Sequence, residues 1–358
     1  VGVYTTRLGD ALRSVYLFSF AILTAASLSG TLKVQWKRFF IYTSLSLVMA
    51  GIVIASIHTV LEYTFKNLYQ SKAMIADRQL LFPGVKETIL KESTPNPDPI
   101  QPGETRIERI RKRGKIRLGF DAKRLPFSYF NDRGELVGFD IDMAHRLALD
   151  LGVDIEFVPF TPQTLVKQLN ADHFDLAMSG LEGTIERATA FPVAHSYMDG
   201  TLAMVLHDYR KVEFLEFEKL RHSPDLKIAV VANSFFDEKA HTFFPNASFV
   251  SINSEEDFFE EKADGADLLV TSAEAGAAWT LLYPEFSVIN PLKKNVKVPM
   301  YYLGAHDIEF EEFMEVWLEL KKKEGVFDEL YNYWILGKDN KDAEPRWSII
   351  RNVLQWVD

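Results

Sequence analysis

No cysteine occurs among the 358 residues. That excludes a disulfide scaffold, thiolate metal sites and cysteine catalysis, while leaving the compartment open. Positive charge is in short supply: 40 basic side chains face 50 acidic ones, a net charge of −10. One short basic run, Arg106 to Arg117, is too little to make nucleic acid the main partner. The eight histidines show no HExxH spacing, and there is no GxSxG elbow, no P-loop and no clean GxGxxG. No residues assemble a nucleophile, a base and an oxyanion donor. No short-period repeat is present. The expectation is a chain without metal, cofactor, catalytic residues or nucleic-acid partner.

What is present is unevenly distributed. An apolar fraction of 47% is ordinary for a globular chain and excludes a mainly disordered one. The apolar character nevertheless concentrates in the first 62 residues. Ser14 to Leu32 is free of charge, diluted by Ser19, Thr24, Ser27 and Ser29, and Phe39 to Leu61 is free of charge apart from His58. Each is long enough to cross a hydrocarbon core about 30 Å thick, so two transmembrane helices are expected, about 13–32 and 39–62, within a membrane segment 1–67. Neither has the ending of a signal peptide. The chain opens on Val1, which suggests that it is part of something longer. The connection Lys33-Val34-Gln35-Trp36-Lys37-Arg38 carries three positive charges and no acid. The positive-inside rule puts it in the cytoplasm, and everything after about residue 62 on the periplasmic or extracellular side of the inner (plasma) membrane.

Residues 68–104 read as a linker. Its part 92–104 holds four prolines and a glycine, a composition that suits a stiff, extended tether. Beyond it, strand and helix patterns alternate. Lys115–Phe120 is a short β run. Asp140 is the expected N-cap before the apolar stripe Ile141, Ala144, Leu147, Ala148 and Leu151, which stops at Gly152. Val153–Val158 alternates as a half-buried strand, and Leu165, Val166 and Leu169 mark a short helix. Phe174–Met178 is the next strand, running into the turn Ser179–Gly183 before Thr184 opens a helix. Further strands are expected at Leu202–Leu206, Lys227–Val231 and Leu268–Thr271. Residues 308–324 form a late amphipathic helix. This is the pattern of an open, mostly parallel α/β sheet, whose ligands bind beyond the strands' carboxyl ends.

Three candidate places lie at such ends. Asp121 with Pro126-Phe127 follows the first strand. Ser179-Gly180-Leu181-Glu182-Gly183 leads into a helix N-terminus suited to an anion, with Arg187 one turn in to grip a carboxylate. The third place, Thr271-Ser272-Ala273-Glu274, follows the apolar strand Leu268-Leu269-Val270. Each feature also has a plain structural use: Asp121 as a turn cap, the glycines as an ordinary turn, Arg187 as a surface ion pair. His145, His241 and His306 are expected to be solvated.

The order of these pieces resembles the extracellular solute-binding proteins of the polar amino acid type (solute-binding protein family 3). The motifs are Ile107 through Asp121, Leu125–Phe130, Gly134–Asp142, Phe174–Gly180 with Glu186-Arg187, and the ending at Gly325 and Tyr331–Trp334. The resemblance implies a two-lobed periplasmic-binding-protein-like domain (type II) over 105–340. Lobe 1 would be about 105–203 and 300–340, lobe 2 about 204–299, with crossovers near 200–206 and 297–304. It implies capture and delivery of a small organic acid or amino acid, without catalysis. It places Asp121, Gly180 and Arg187 at the ligand, Arg187 on the α-carboxylate, and their neighbours Phe127, Ser179 and Leu181 are expected to bind the ligand with them. The hydroxyl expected two residues after the glycine is Glu182 here. In the second lobe the family's Ser/Gly/Thr turn is replaced by Asn233-Ser234-Phe235-Phe236, and Ser272 stands where the usual acid would be, with Glu274 two residues on.

The whole chain also resembles a dicarboxylate/amino acid:cation symporter carrying such a domain at its C-terminus, prompted by Ala278–Ser287 and the tail Pro345–Asp358. That implies a symporter membrane domain upstream and the lipid bilayer as partners. The tail 341–358 is expected as an amphipathic helix. Two other functions compete: a sensing or gating module without delivery, and a lyase or glycan-cleaving enzyme on the same fold, with Glu182 or Glu274 as its acid or base.

Overall fold

The computed structural model describes residues 16–30, 35–191, 196–214, 217–292, 295–305 and 307–338. The tail 341–358 and His306 therefore lie outside the described residues. The chain divides into two compact units, Val1–Asn67 and Leu68–Asp358.

In the first unit, residues Tyr16–Leu28 form a short apolar helix; a second helix begins in it at Trp36 and ends at Ala76, past the unit's last residue. Of the two spans expected, one is found among the described residues. Trp36–Ile54, 19 residues at mean hydropathy 1.5, is long and apolar enough to cross a membrane by length and composition. Tyr16–Leu28 is too short, and the expected ends at 13–15 and 31–32 fall outside the described residues. Ile41, Leu47 and Ile54 lie exposed on the longer helix, an arrangement that water disfavours and hydrocarbon does not. The helix continues past the expected end near 62 because residues 63–76 contain neither proline nor glycine.

The second unit is built on one strand path. In order across it run Glu87–Ile89, Asp154–Pro159, Lys115–Phe120, Leu176–Glu182, Lys297–Gly304, Met198–His207, Leu268–Ser272, Lys227–Val231 and Ser248–Ile252. Phe286–Ile289 pairs with Met198–His207 off that path. The outer pairs are parallel, Ile116 opposite Ile155 and Ile228 opposite Phe249. The middle is antiparallel: Lys297–Gly304 lies between Leu176–Glu182 and Met198–His207, with Val298 opposite Gly200. The two central strands pass between a parallel group on each side, so the unit is a two-lobed mixed α/β fold. The expected mostly parallel sheet is thus interrupted at its centre, where the chain crosses between lobes.

Helix starts and stops follow local chemistry. Thr105 and Glu108 form a capping box on Arg106–Arg113, which ends at Gly114 in the left-handed conformation. Phe139–Leu151 ends at Gly152 as expected, but its N-cap is Gly138, and Asp140 lies inside the first turn. The missed strands Lys123–Arg124, Ser128–Phe130 and Leu136–Val137 form a small separate sheet; at two or three residues each they are too short to show periodicity.

The proline-rich segment is tied to the first lobe. Glu87–Ile89 adds an edge strand beside Ile155–Phe157. The Arg117 guanidinium donates to the carbonyls of Pro95 at 3.0 Å and Thr94 at 2.9 Å. Upstream, Asp142 accepts from the N–H groups of Leu81 and Phe82 and from Trp334 Nε1 at 2.7–3.0 Å. His145, expected in solvent, is buried and pairs through Nε2 with Glu87 at 3.0 Å. His241 is on the helix Phe235–Phe243 rather than in a loop, and its ring is exposed.

Candidate functional site

The strand Lys115–Phe120 ends at Asp121, which is buried. Its backbone N–H donates to Ser179 Oγ at 2.8 Å and its carbonyl accepts from Ser128 Oγ at 2.6 Å. This clamps the end of one strand to the next. Burial raises the Asp121 carboxyl above the usual range, opposed by the Arg124 charge.

The next strand extends further than the sequence pattern predicts. Ser179, Gly180, Leu181 and Glu182 are all in Leu176–Glu182, because Lys297–Gly304 pairs beside them through Met300 and Glu182. The expected glycine turn with free N–H groups is therefore absent: Gly180 donates to Asp140 Oδ2. Gly180 has φ 58°, and a Cβ there would lie 2.4 Å from the Phe127 ring, so any side chain would be strained and displace the ring. Thr184 does cap the short helix Ile185–Ala190, its hydroxyl accepting from Arg187 N at 3.2 Å.

Glu182 is the centre of the charged site. Its Oε2 accepts from Arg124 Nη2 at 3.0 Å and from Arg187 Nη1 at 3.4 Å, while its carbonyl accepts from Arg187 Nη1 at 2.7 Å. Although burial acts to raise it, Arg124 and then Arg187 hold the Glu182 carboxyl below the usual range. Arg124 Nε lies 3.9 Å from Asp121 Oδ2. From the second lobe comes Glu255, buried, its Oε2 accepting from Trp279 Nε1 at 2.9 Å and its Oε1 from Thr271 Oγ1. Burial raises Glu255, and Arg124 is the chief opposing charge. Asp121, Arg124, Glu182, Arg187 and Glu255 thus form one buried cluster of two guanidiniums and three carboxylates at the junction of the lobes.

Beside it opens a cavity of about 550 Å³. Gly183, Thr184 and Arg187 line it from the first lobe, Phe235, Glu238 and Lys239 from the second, with Tyr301 between. A cavity of about 280 Å³ adjoins the same two helices and includes Asn233 and Ser234.

The structure therefore brings Asp121, Glu182 and Arg187 together, and puts Asn233 on the neighbouring wall at φ 58°. Other candidates have different surroundings. Phe127 is buried against Phe139, with ring centroids 6.4 Å apart, and Leu181 is buried with Val158 and Phe174. Ser179 is satisfied by Asp121 and Ser128. Ser272 caps the helix Ala273–Leu282 by accepting from Ala275 N at 3.0 Å. Glu274 accepts from Thr201 N at 3.1 Å on the crossover strand, and burial pushes it up to about 7.

Arg124 and Glu255 were not among the candidates. Arg124 lies between Asp121 and Phe127, both singled out, and its position inside that motif was the signal. Glu255 sits in Ser254-Glu255-Glu256-Asp257, a run that reads as a solvated helix start. Asp140, named only as a cap, is a buried carboxylate accepting from Tyr302 at 2.8 Å and Tyr197 at 3.0 Å as well as from Gly180. Burial pushes it up to about 7. Among the described residues no group of His, Asp and Glu could hold a metal ion.

Comparison with known proteins follows the same outline. The model for bacterial extracellular solute-binding proteins, family 3, matches residues 116–337. Cyclohexadienyl dehydratase of Pseudomonas aeruginosa is 27% identical over 238 residues, covering 66% of this chain and 88% of that protein. The histidine-binding periplasmic protein of Salmonella typhimurium is 41% identical over 73 residues, 20% of this chain and 28% of that one. Among solved structures, an ancestral amino acid-binding protein described as a precursor of cyclohexadienyl dehydratase is 32% identical with a TM-score of 0.59, covering 64% of this chain and 99% of that one. These findings correct one expectation. The relatives include an enzyme, so the inference of a non-catalytic domain from family resemblance does not hold. The family match extends over more than half of the sequence, and the chain belongs to the bacterial extracellular solute-binding proteins of family 3.

Proposed function

We propose that this family 3 domain captures a small carboxylate-bearing solute of the amino acid type in the cleft between its lobes. The supporting observation is the buried cluster of Asp121, Arg124, Glu182, Arg187 and Glu255, with a cavity beside Arg187 walled by both lobes. A zwitterion presents a carboxylate, which a guanidinium binds bidentately, and an ammonium, which a carboxylate binds; the cluster offers both partners in a water-poor setting. In this reading Arg187 exchanges Glu182 for the solute carboxylate as the lobes close. The names of the histidine-binding relative and of the ancestral amino acid-binding protein agree with that ligand class.

The reading extends to a cellular arrangement. Residues 36–54 anchor the domain, which faces the periplasm or exterior and serves a symporter membrane domain. Holding the domain beside a transporter raises its effective concentration to about the millimolar range. The orientation is checked by placing single cysteines at Ser93 and Ser223 and treating outer-membrane-permeabilised cells with an impermeant thiol reagent; protected sites contradict it.

Binding is tested by thermal unfolding of the full chain against amino acids, dicarboxylates and amines. A solute at 100 times its dissociation constant adds about 2.7 kcal/mol. The increase should vanish in Arg187→Ala; an increase that survives there removes Arg187 from the site.

A second function is favoured by the likeness to cyclohexadienyl dehydratase and by the state of two acids. Loss of water is helped by a group that protonates the departing hydroxyl. Glu182 is held ionised, whereas burial favours the protonated form of Asp121 and of Glu255 next to Arg124. Turnover of cyclohexadienyl substrates, abolished in Glu255→Gln, would support dehydratase chemistry; unaltered turnover in that variant would dispose of the acid's role.

A further inference from the structure

Two consecutive cations of the first lobe face two consecutive acids of the second. Lys123 Nζ lies 2.6 Å from Glu256 Oε2, an exposed pair across the junction. Beside it Arg124 is buried, bonded to Glu182 and within the electrostatic reach of Glu255, which is itself fixed by Trp279 and Thr271. Arg187 is engaged by Glu182 in turn. The groups that would grip a zwitterion are thus gripped by one another. A guanidinium bonded to Glu182 and close to Asp121 in one lobe, with Glu255 of the other lobe within its electrostatic reach, does what a bound cationic solute does in a hinged cleft: it makes closure favourable where like charges alone would oppose it.

We propose that Arg124 is a built-in surrogate for a cationic solute. Its guanidinium fills the acidic pocket of Asp121, Glu182 and Glu255, latches the lobes through Glu255, and has to leave before a cationic group can enter. The latch rests on the Lys123–Glu256 pair across the lobes and on the burial of Arg124 and Glu255 beside it, and only the displacement rests on the cleft as the solute site. A self-filled pocket lowers apparent affinity by the fraction of molecules in which it is vacated, so removing Arg124 should convert a latched cleft into an open acceptor of guanidinium groups.

The absence of native cysteine makes interlobe distances accessible. Lys112→Cys and Tyr209→Cys place spin labels on an exposed position of each lobe, and pulsed electron resonance is recorded on the full chain in detergent without solute. The native chain should give one narrow distance, while Arg124→Ala and Glu255→Gln should each give a broad distribution. Methylguanidinium should restore the narrow distance in Arg124→Ala, and tetramethylammonium at equal concentration should not. L-Arginine should bind Arg124→Ala about tenfold or more tightly than the native chain. A narrow distance in both variants overturns the latch, as does equal rescue by the two cations. Should Arg124→Ala fail to fold, Glu255→Gln decides, since it leaves Arg124 paired with Glu182; a native-like distribution there overturns the proposal. If both variants open but no solute of any class binds either chain, the latch is upheld and the solute-binding reading fails instead.

Discussion

Two regions of the second unit bury arginines against carboxylates, and they differ in where the partners come from. In the first lobe, Asp175 accepts from Arg109 at 2.6 Å, Arg113 at 2.6 Å, Arg106 at 3.3 Å and the Arg117 N–H at 2.8 Å. Asp172 takes further bonds from Arg106 and Arg109, while Arg109 reaches the carbonyl of Asp98 and Arg117 those of Thr94 and Pro95. All members belong to one lobe and its strapped linker, so the cluster has one arrangement and serves as structure. In the cleft, Arg124, Arg187, Asp121 and Glu182 belong to one lobe and Glu255 to the other. That cluster is complete only when the lobes meet. Buried charge inside one rigid body fixes a fold, whereas buried charge shared between two bodies reports their separation and offers itself to a solute.

The largest effect should come from breaking the single-lobe cluster. Asp175→Ala leaves three guanidiniums without their shared partner and should cost about 3–5 kcal/mol in denaturant unfolding of the full chain. A loss below about 1 kcal/mol would mean that this cluster is no more structural than the other. Arg187→Ala should behave oppositely, costing the solute-induced gain of about 2.7 kcal/mol at 100 times the dissociation constant while leaving Asp175 and its arginines in place.

Acidity sharpens the contrast at an intermediate size. Asp140 and Glu274, both at the crossover strands, are pushed up to about 7 by burial. Each binds its proton more tightly folded than unfolded, where the values are about 4. Stability is therefore greatest at the acid end of the window and falls as pH rises from about 4 to 7. The full chain should lose on the order of 2–3 kcal/mol between pH 5 and 8 from each of these groups, and Asp140→Asn should flatten the slope. Asp172 and Glu182, held low by arginines, act in the opposite sense and only below the usual carboxylate range. The smallest effect is expected for Lys123→Ala, which removes an exposed pair worth less than about 1 kcal/mol to stability.

Much of the fold was legible because it depends on local pattern. Lys227–Val231 forms the expected strand, Gly152 and Thr184 end and begin helices as their chemistry dictates, and Ile308–Lys323 follows its apolar stripe. Composition also marked the apolar beginning, although one described helix rather than two is long enough to span. The failures are tertiary. Nothing local says that Ser179–Glu182 will be paired by a strand more than 100 residues later, or that the Gly180 N–H will be claimed by Asp140. The proline-rich linker reads as a tether because the arginines that bind its carbonyls lie beyond it. At the site, Asp121, Glu182 and Arg187 were legible from motif position. Glu255 was not, because an acidic run looks the same whether it faces water or an arginine of the opposite lobe.

The most direct measurement is hydrogen exchange of the native full chain with and without each solute of the panel. Entry of a solute between the lobes should slow exchange at 179–187 and 233–240 together, while leaving 94–117, tied to the Asp175 cluster, unchanged. A solute that raises thermal stability yet protects one lobe alone, or protects 94–117 instead, would contradict binding in the cleft.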